Sequence, residues 1–343
     1  MPDSLSVSPA ERLARFASKQ FPGTFVRIES MPGDVSTRAY FRIEAAGERM
    51  IAAVYAEAFD ETNFPFLDVT RLFSDCGVAV PRVLAADGAA GVILQEDLGD
   101  VRLQDALADM SDAEKFAAYR QANDLIIQFQ KTTEPARRAD SVAWRLVFDE
   151  EKFFWEMQYF YKNYFVNHRR APLSPEREAL LLGELFALCR RLASVKRVVC
   201  HRDYHSRNLM RQGDRLRVID HQDARLGPAT YDAVSLIGDP YADLPVALQD
   251  DLKRDFREKF FEAFADAHYA NRDEFEAEYA LMMIQRMLKA VGTYAHQAAV
   301  RNNPSYLGYV PVAFNAAARA LAQVADMPVA AAVIEEIVAQ ETA

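Results

Sequence analysis

The richest run of polar groups in the chain is VVCHRDYHSRNLMRQGDRLRVIDHQDARLGPATYD. An apolar run ends at His201, a polar loop reaches Asn208, and a second apolar run, LRVID, ends at Asp220. Strand ends that feed acidic loops are where reactive groups are commonly displayed, although His and Asp there also serve simply to cap loops. Asp203 is placed to accept the proton of a hydroxyl, while Asn208 and Asp220 are hard oxygen donors of the kind Mg²⁺ takes alongside its waters. Together these are the parts of phosphoryl transfer, which needs a carboxylate to orient the attacking hydroxyl and oxygen ligands to hold the cation on the phosphates. A competing arrangement draws His201, Asp203, His205, Asp220, His221 and Asp223 as a zinc or two-metal hydrolytic cluster. Against it, no helical His-Glu-x-x-His occurs, and His168, His268 and His296 fall in helical segments.

The elements that must position these groups change character along the chain. TFVRIES, TRAYFRIEA and RMIAAVYA are short β-prone runs separated by MPGD and AAGE, which predicts an antiparallel meander. A helix is expected around residues 63–76, and PRVLAAD and GVILQED add two strands before a natural joint at EDLGD, Glu96 to Asp100. From Val101 onward the pattern turns to long helical stretches near 112–134, 149–168, 175–193, 247–268 and 272–299. Only KRVVC and LRVID interrupt them, as one small hairpin-like insert, and VADMPVAAAVIEEIVAQ reads as a last helix. The expected architecture is α+β: a small antiparallel-sheet unit over residues 1–98 and a mainly helical unit over 99–343 that carries the Asp203 loop.

Size and charge narrow the classes of function. With 343 residues, half of them apolar, the chain can bury one large core or two modest ones. A formal charge of -10 argues against nucleic-acid binding, which needs a concentrated basic surface, and is compatible with a cationic or neutral small substrate. Cys76, Cys189 and Cys200 are far apart and lack paired metal spacing, so all three are expected as reduced core residues. The N-terminus has a helical pattern after Ser8-Pro9 rather than a basic start and apolar run, and no segment reaches the roughly 18 apolar residues of a membrane span. A cytoplasmic protein without an obligate protein partner is the expectation.

HRDYHSRNLM, with Asn208 five residues beyond Asp203, follows the protein-kinase catalytic-loop pattern. With VIDHQDA and GPATYDAVSLIGDPY it resembles the aminoglycoside phosphotransferase and choline kinase superfamily, whose fold is like that of protein kinases. STRAYFRI, CGVAVPRVLAAD, LQEDLGD, EMQYFYKNYFVNH and QRMLKAVGTYAHQAAVRNNPSYLGYVP extend the likeness over nearly the whole chain, and resemble the anomeric N-acetylmuramate/N-acetylglucosamine 1-kinases in particular. The resemblance implies a two-lobed fold and transfer of the γ-phosphate of ATP, with GTP as an alternative donor, to a hydroxyl. The implied acceptor is an amino sugar; aminoglycosides, choline and homoserine are the other acceptors of the same chemistry. It implies that Asp203 is the base, Asn208 and Asp220 the Mg²⁺ ligands, Asp232 a brace for the catalytic loop, and Glu96, Asp97 and Leu98 the hinge that receives adenine.

One departure bears on the phosphates. Kinase-like enzymes place a lysine on the third strand, and RMIAAVYAE has none. Arg38 and Arg42, on one face of the preceding strand with Tyr40, are the candidates to replace it, the bland alternative being solvated strand charges. A phosphate loop is thin, with Gly33 ahead of Ser36 and Thr37, whose backbone and hydroxyl donors are the remaining means of covering phosphates. A nucleotide-binding protein without turnover is therefore a second reading, opposed by the intact Asp203, Asn208 and Asp220. On the acceptor side the candidates are Asp223, Glu156 within its aromatic helix, Arg286 and Lys289 on one helix face with Gln285, and Tyr306. Each has a structural alternative: an arginine partner for Asp223, core packing for the helix around Glu156, and a solvated face for the cations.

Overall fold

The computed structural model describes residues 7–31, 38–264, 269 and 271–341. In chain order the first elements are α1 (Pro9–Gln20), β1 (Val26–Ser30), β2 (Ala39–Ala45), β3 (Glu48–Val54), α2 (Pro65–Asp75), β4 (Val83–Asp87) and β5 (Val92–Glu96). There follow α3 (Leu103–Ala106), α4 (Asp112–Lys131), α5 (Thr133–Arg138), α6 (Val142–Arg145), α7 (Glu150–Tyr161) and α8 (Pro175–Ser194). Four short strands come next, β6 (Arg197–Cys200), β7 (Leu209–Gln212), β8 (Arg215–Val218) and β9 (Arg225–Pro228). The chain closes with α9 (Tyr231–Ile237), α10 (Val246–Phe264), α11 (Arg272–Ala299), α12 (Val310–Leu321) and α13 (Pro328–Glu341). Two compact units result, Met1–Val101 with Met210–Asp223, and Arg102–Leu209 with Ala224–Ala343.

The first unit is built on an antiparallel sheet in the order β1-β2-β3-β5-β4. Alternation decides which face is covered: Phe41, Ile43 and Ala45 of β2 and Met50, Ala52 and Val54 of β3 turn to one side and pack with Leu13 and Phe16 of α1. The β2–β3 turn has Ala46 and Gly47 at φ 53° and 81°, the two positive values that a tight hairpin of this twist requires. Ser8 starts α1 with a reciprocal bond to Glu11, satisfying backbone donors that the first turn leaves open.

In the second unit α11 is the central element. Its 28 residues are buried on every side between Leu281 and Leu288, which marks a helix surrounded by others rather than one lying at a surface. It packs against α7, α9 and α12. Gly292 allows the closest approach: a Cβ there would come within 2.7 Å of the Phe160 Cα on α7. The aromatic helix ends in a π-helical stretch, Lys162–His168.

Three expectations are corrected. KRVVC and LRVID do not form one hairpin. Strand β6 pairs with β9, and β8 with β7, because RLGP, which reads as a loop for its Gly-Pro, supplies the missing partner strand. Cys76 is exposed at the end of α2, past that helix's last apolar residue, while Cys189 and Cys200 are buried. The helix expected over 149–168 is α-helical only to Tyr161. Among the described residues, no helix is long and apolar enough to cross a membrane.

Candidate active site

The Asp203 loop hangs between β6 and a short 3-10 turn at Ser206–Asn208, and buried carboxylates fasten its backbone. Asp232, near the start of α9, accepts the backbone N–H of His201 at 2.6 Å and of Arg202 at 3.1 Å. Asp239 accepts the Ser206 N–H at 2.9 Å and its hydroxyl at 2.5 Å, and also the Tyr241 N–H at 2.9 Å. Arg202 sits at φ 84°, a conformation a side chain adopts only where its surroundings enforce it. The Asn208 amide nitrogen donates to the Asp203 carbonyl at 2.8 Å, which fixes the amide plane and leaves its oxygen for another partner. Burial pushes the Asp232 carboxyl up to about 7, against the pull of its two N–H donors, and raises Asp239 as well.

Asp203 has the opposite electrostatics. Burial alone would raise its pKa, but Lys289, Arg202 and Arg286 outweigh that and hold it far below the usual carboxylate range. The Lys289 Nζ lies 3.7 Å from one carboxylate oxygen, and an Arg202 nitrogen 3.7 Å from the other. Burial, reinforced by Arg286, lowers Lys289 to about 8, and burial lowers His205 to about 3, so the imidazole beside the loop is neutral. Asp203, His205, Arg286 and Lys289 line a cavity of about 130 Å³ with Tyr241 and Tyr294. An ionised carboxylate in such a cavity can accept the hydrogen bond of an acceptor hydroxyl and aim its lone pair.

The cluster Gln285, Arg286 and Lys289 is therefore not a solvated face: Gln285 and Arg286 are buried. Glu156 is taken out of the acceptor cavity, being 1% exposed and hydrogen-bonded by Gln285 at 2.8 Å in the contact between α7 and α11. Around it Phe153 and Phe160 are core, and Trp155, half exposed, stacks on Tyr159. Tyr306 stacks behind Tyr294 with ring centroids 5.9 Å apart, so it backs the cavity wall. The Arg207 guanidinium lies 3.7 Å from the Tyr241 ring centre in the same aromatic group.

In the first unit, Asp220 follows β8 at φ 63° with its side chain 40% exposed. Its Oδ1 accepts from Gln222 at 2.9 Å and from Arg38 at 3.3 Å, and its other oxygen is the one a cation could use. The Arg38 guanidinium lies 5.7 Å from the ring centres of both Tyr40 and Tyr55. Arg42 is engaged elsewhere, on Asp97 at 2.8 Å and Asp100 at 2.6 Å, so of the two arginines only Arg38 reaches Asp220. Next to Asp220, His221 is fully buried against Phe66 and Phe73 of α2 with its Nε2 2.6 Å from the Thr70 hydroxyl. That hydroxyl spends its proton on the Phe66 carbonyl at 2.6 Å, so His221 is the donor of the pair. His201 is likewise enclosed, against Phe129 and Tyr204, and among the described residues no three His, Cys, Asp or Glu side chains gather as a metal cluster.

At the joint, Glu96 pairs with Arg217 at 2.9 Å, Asp97 also accepts the Gly99 N–H at 2.9 Å, and Leu98 is buried. Asp223 is half-buried close after Asp220, and Ser36 and Thr37 lie outside the described residues. Sequence reasoning missed Asp239 and Glu278. Glu278 is buried on α11 and accepts the Thr230 N–H and hydroxyl at 3.2 and 2.9 Å and the Tyr269 hydroxyl at 2.8 Å, at the start of the helix that carries Asp232. The available signal was an acid within or against an apolar run, Asp239 in LIGDPY and Glu278 as the last of the acids before YALMMI.

Comparison with known proteins identifies the family. The model of the phosphotransferase enzyme family matches residues 27–278. The N-acetylmuramate/N-acetylglucosamine kinase of Pseudomonas aeruginosa is 33% identical over 278 residues, 81% of this chain and 79% of that protein. Its namesake from Neisseria meningitidis is 27% identical over 331 residues, 96% of each chain. Among solved structures, an ADP-bound aminoglycoside phosphotransferase, APH(2'')-Ib, superposes with a TM-score of 0.58 at 12% identity, covering 91% of this chain and 98% of that one. The chain belongs to the phosphotransferase enzyme family and is an ATP-dependent kinase of small molecules.

Proposed function

We propose that the protein phosphorylates the anomeric hydroxyl of an N-acetyl amino sugar, N-acetylmuramate or N-acetylglucosamine, in the cytoplasm. The observation that carries this reading is the cavity in which Asp203 stands among Arg286, Lys289, Tyr241 and Tyr294. Aminoglycosides and choline are cations and would meet two buried cations there, at a Coulombic cost that a neutral or anionic sugar avoids. The names of the two kinase relatives support the same substrate class.

Asp203 orients the sugar hydroxyl and receives its proton as the new P–O bond forms and the bond from the γ-phosphorus to the bridging oxygen of the departing ADP breaks; a carboxylate held this acidic is a poor base earlier in a loose transition state. Arg38 meets the charge of the donor phosphates in place of a third-strand lysine, and Glu96 to Leu98 receive the base. Asn208 and Asp220, both oxygen donors, are the residues that would hold Mg²⁺, which when bound neutralises phosphate charge and fixes the donor. The test is transfer from ATP to N-acetylmuramate, N-acetylglucosamine, choline, homoserine and kanamycin, with the product examined by ³¹P NMR for an anomeric phosphate. A kcat/KM for any of the last three equal to that for the amino sugars would overturn the assignment.

A further inference from the structure

We propose that Arg286 and Lys289 form a carboxylate-binding subsite beside Asp203, so that the kinase selects acceptors bearing an anionic group and prefers N-acetylmuramate to N-acetylglucosamine. The inference rests on the amino-sugar reading above and adds its discriminating contact.

Arg286 and Lys289 are three residues apart on α11 and so share a face, the one that lines the cavity with Asp203. Arg286 is 7% exposed, and its Nε donates to the Ser235 hydroxyl at 2.6 Å. Among the described residues, its two terminal nitrogens make no hydrogen bond and it forms no ion pair. Lys289 is also short of partners: its nearest carboxylate, Asp203, is 3.7 Å away, beyond hydrogen-bond length. The other carboxylate in the cavity, Asp239, is already committed to Ser206 and Tyr241. What stays open is thus the guanidinium fork of Arg286, beside an ammonium group that is ion-paired with Asp203 but not hydrogen-bonded to it. A buried cation without a partner costs several kcal/mol, and a fork of two parallel N–H groups is the geometry that a carboxylate satisfies.

Two anions could come here, a carboxylate of the acceptor or the phosphoryl group in transit. Arg286 favours the first. Its Nε is fixed on Ser235 and its charge acts on Asp203 without a direct ion pair, so an anion on its fork lies beside the carboxylate that faces the attacking oxygen rather than on it, as a substituent of the same sugar ring would. The Tyr241 and Tyr294 rings and the Thr293 hydroxyl in the same cavity suit an organic acceptor. N-acetylmuramate differs from N-acetylglucosamine by one ether-linked lactyl carboxylate, which is the group required.

The experiment measures kcat/KM for both sugars with the unaltered enzyme, Lys289→Gln and Arg286→Gln. The unaltered enzyme should prefer N-acetylmuramate, and each variant should reduce that preference by about tenfold or more, chiefly through the KM of N-acetylmuramate, as expected when a hydrogen bond to a charged group is lost. The methyl ester of N-acetylmuramate tests the same contact without mutation, which matters should Arg286→Gln fold poorly; it should be used no better than N-acetylglucosamine. Equal losses on both sugars, confined to kcat, would mean that the cations serve the phosphoryl group and would overturn the subsite while leaving the sugar assignment intact. An unaltered enzyme that uses the ester as well as the acid would overturn it too. Failure to phosphorylate either sugar would instead remove the reading on which it stands.

Discussion

Asp203 and Asp220 are carboxylates at two strand-to-loop junctions, and the molecule holds them by opposite means. Around Asp203 the backbone is pinned: Asp232 and Asp239 take the loop's N–H groups, and Asn208 takes the Asp203 carbonyl. Asp220 is instead held through side chains, Arg38 and Gln222 on its carboxylate and His221 anchored behind it, with the residue itself in a left-handed conformation. The difference suits the two tasks proposed for them. A group that must meet a reacting hydroxyl at one angle belongs on a fixed loop, whereas a group whose partners change as a donor arrives and leaves can lie among side chains that re-pair. Changes to the pinned loop should therefore fall on turnover and stability, and changes around Asp220 on donor binding.

The sharpest way to break this contrast is Asp203→Asn. Turnover should fall by about a thousandfold, within the range of general-base contributions, while nucleotide affinity by calorimetry stays within twofold; turnover within tenfold of the original would contradict it. Next is the brace. Asp232 has its folded pKa raised by burial to about 7, above its value in the unfolded chain, so the folded state binds the extra proton in between. Its contribution to stability is present below about pH 4 and is lost as pH rises through 7, amounting to a few kcal/mol by linkage. Urea unfolding from pH 4 to 8 should show that decline, and Asp232→Asn should flatten it; an unchanged slope would refute the assignment. Around Asp220, Arg38→Met should raise the KM for ATP about tenfold, whereas Arg42→Met, which removes only ion pairs to Asp97 and Asp100, should leave it within threefold. Equal effects of the two would erase the distinction. The smallest effect concerns Lys289. Because burial lowers it to about 8, it loses its charge as pH rises through that value, and the KM for N-acetylmuramate should climb several-fold between pH 7 and 9 with no matching climb for N-acetylglucosamine.

What could be read in advance followed the range of the interactions. The meander of β1 to β3, the helix α2 and the His201–Asn208 loop are written in contiguous residues, through alternation, turn chemistry and spacing, and they emerge as expected. The pairing of β6 with β9 was invisible because RLGP has no strand pattern of its own and becomes one only against RVVC. The different surroundings of Arg38 and Arg42 were equally closed to periodicity, which places both on one face; their partners, Asp220 for one and Asp97 for the other, lie 182 and 55 residues away. Glu156 lies on an aromatic helix that suits a sugar platform or a core, and only Gln285, 129 residues away, assigns it to the core.

The first unit is assembled from two distant stretches of chain. Its closing contacts, Arg217 to the Val80 carbonyl and His221 to Thr70, join residues 137 and 151 positions apart. During synthesis the first hundred residues thus emerge from the ribosome without the hairpin that completes them, and wait while nearly half of the Asp203 loop's own unit is being made. Loop closure over such a span is slow relative to hairpin formation, so the nascent amino-terminal sheet passes through a period of incomplete burial around Phe66 and Phe73. A fragment ending at Val101 would be frozen at that stage, and dissecting the enzyme into independently expressed halves at that point would fail for a reason written in its connectivity.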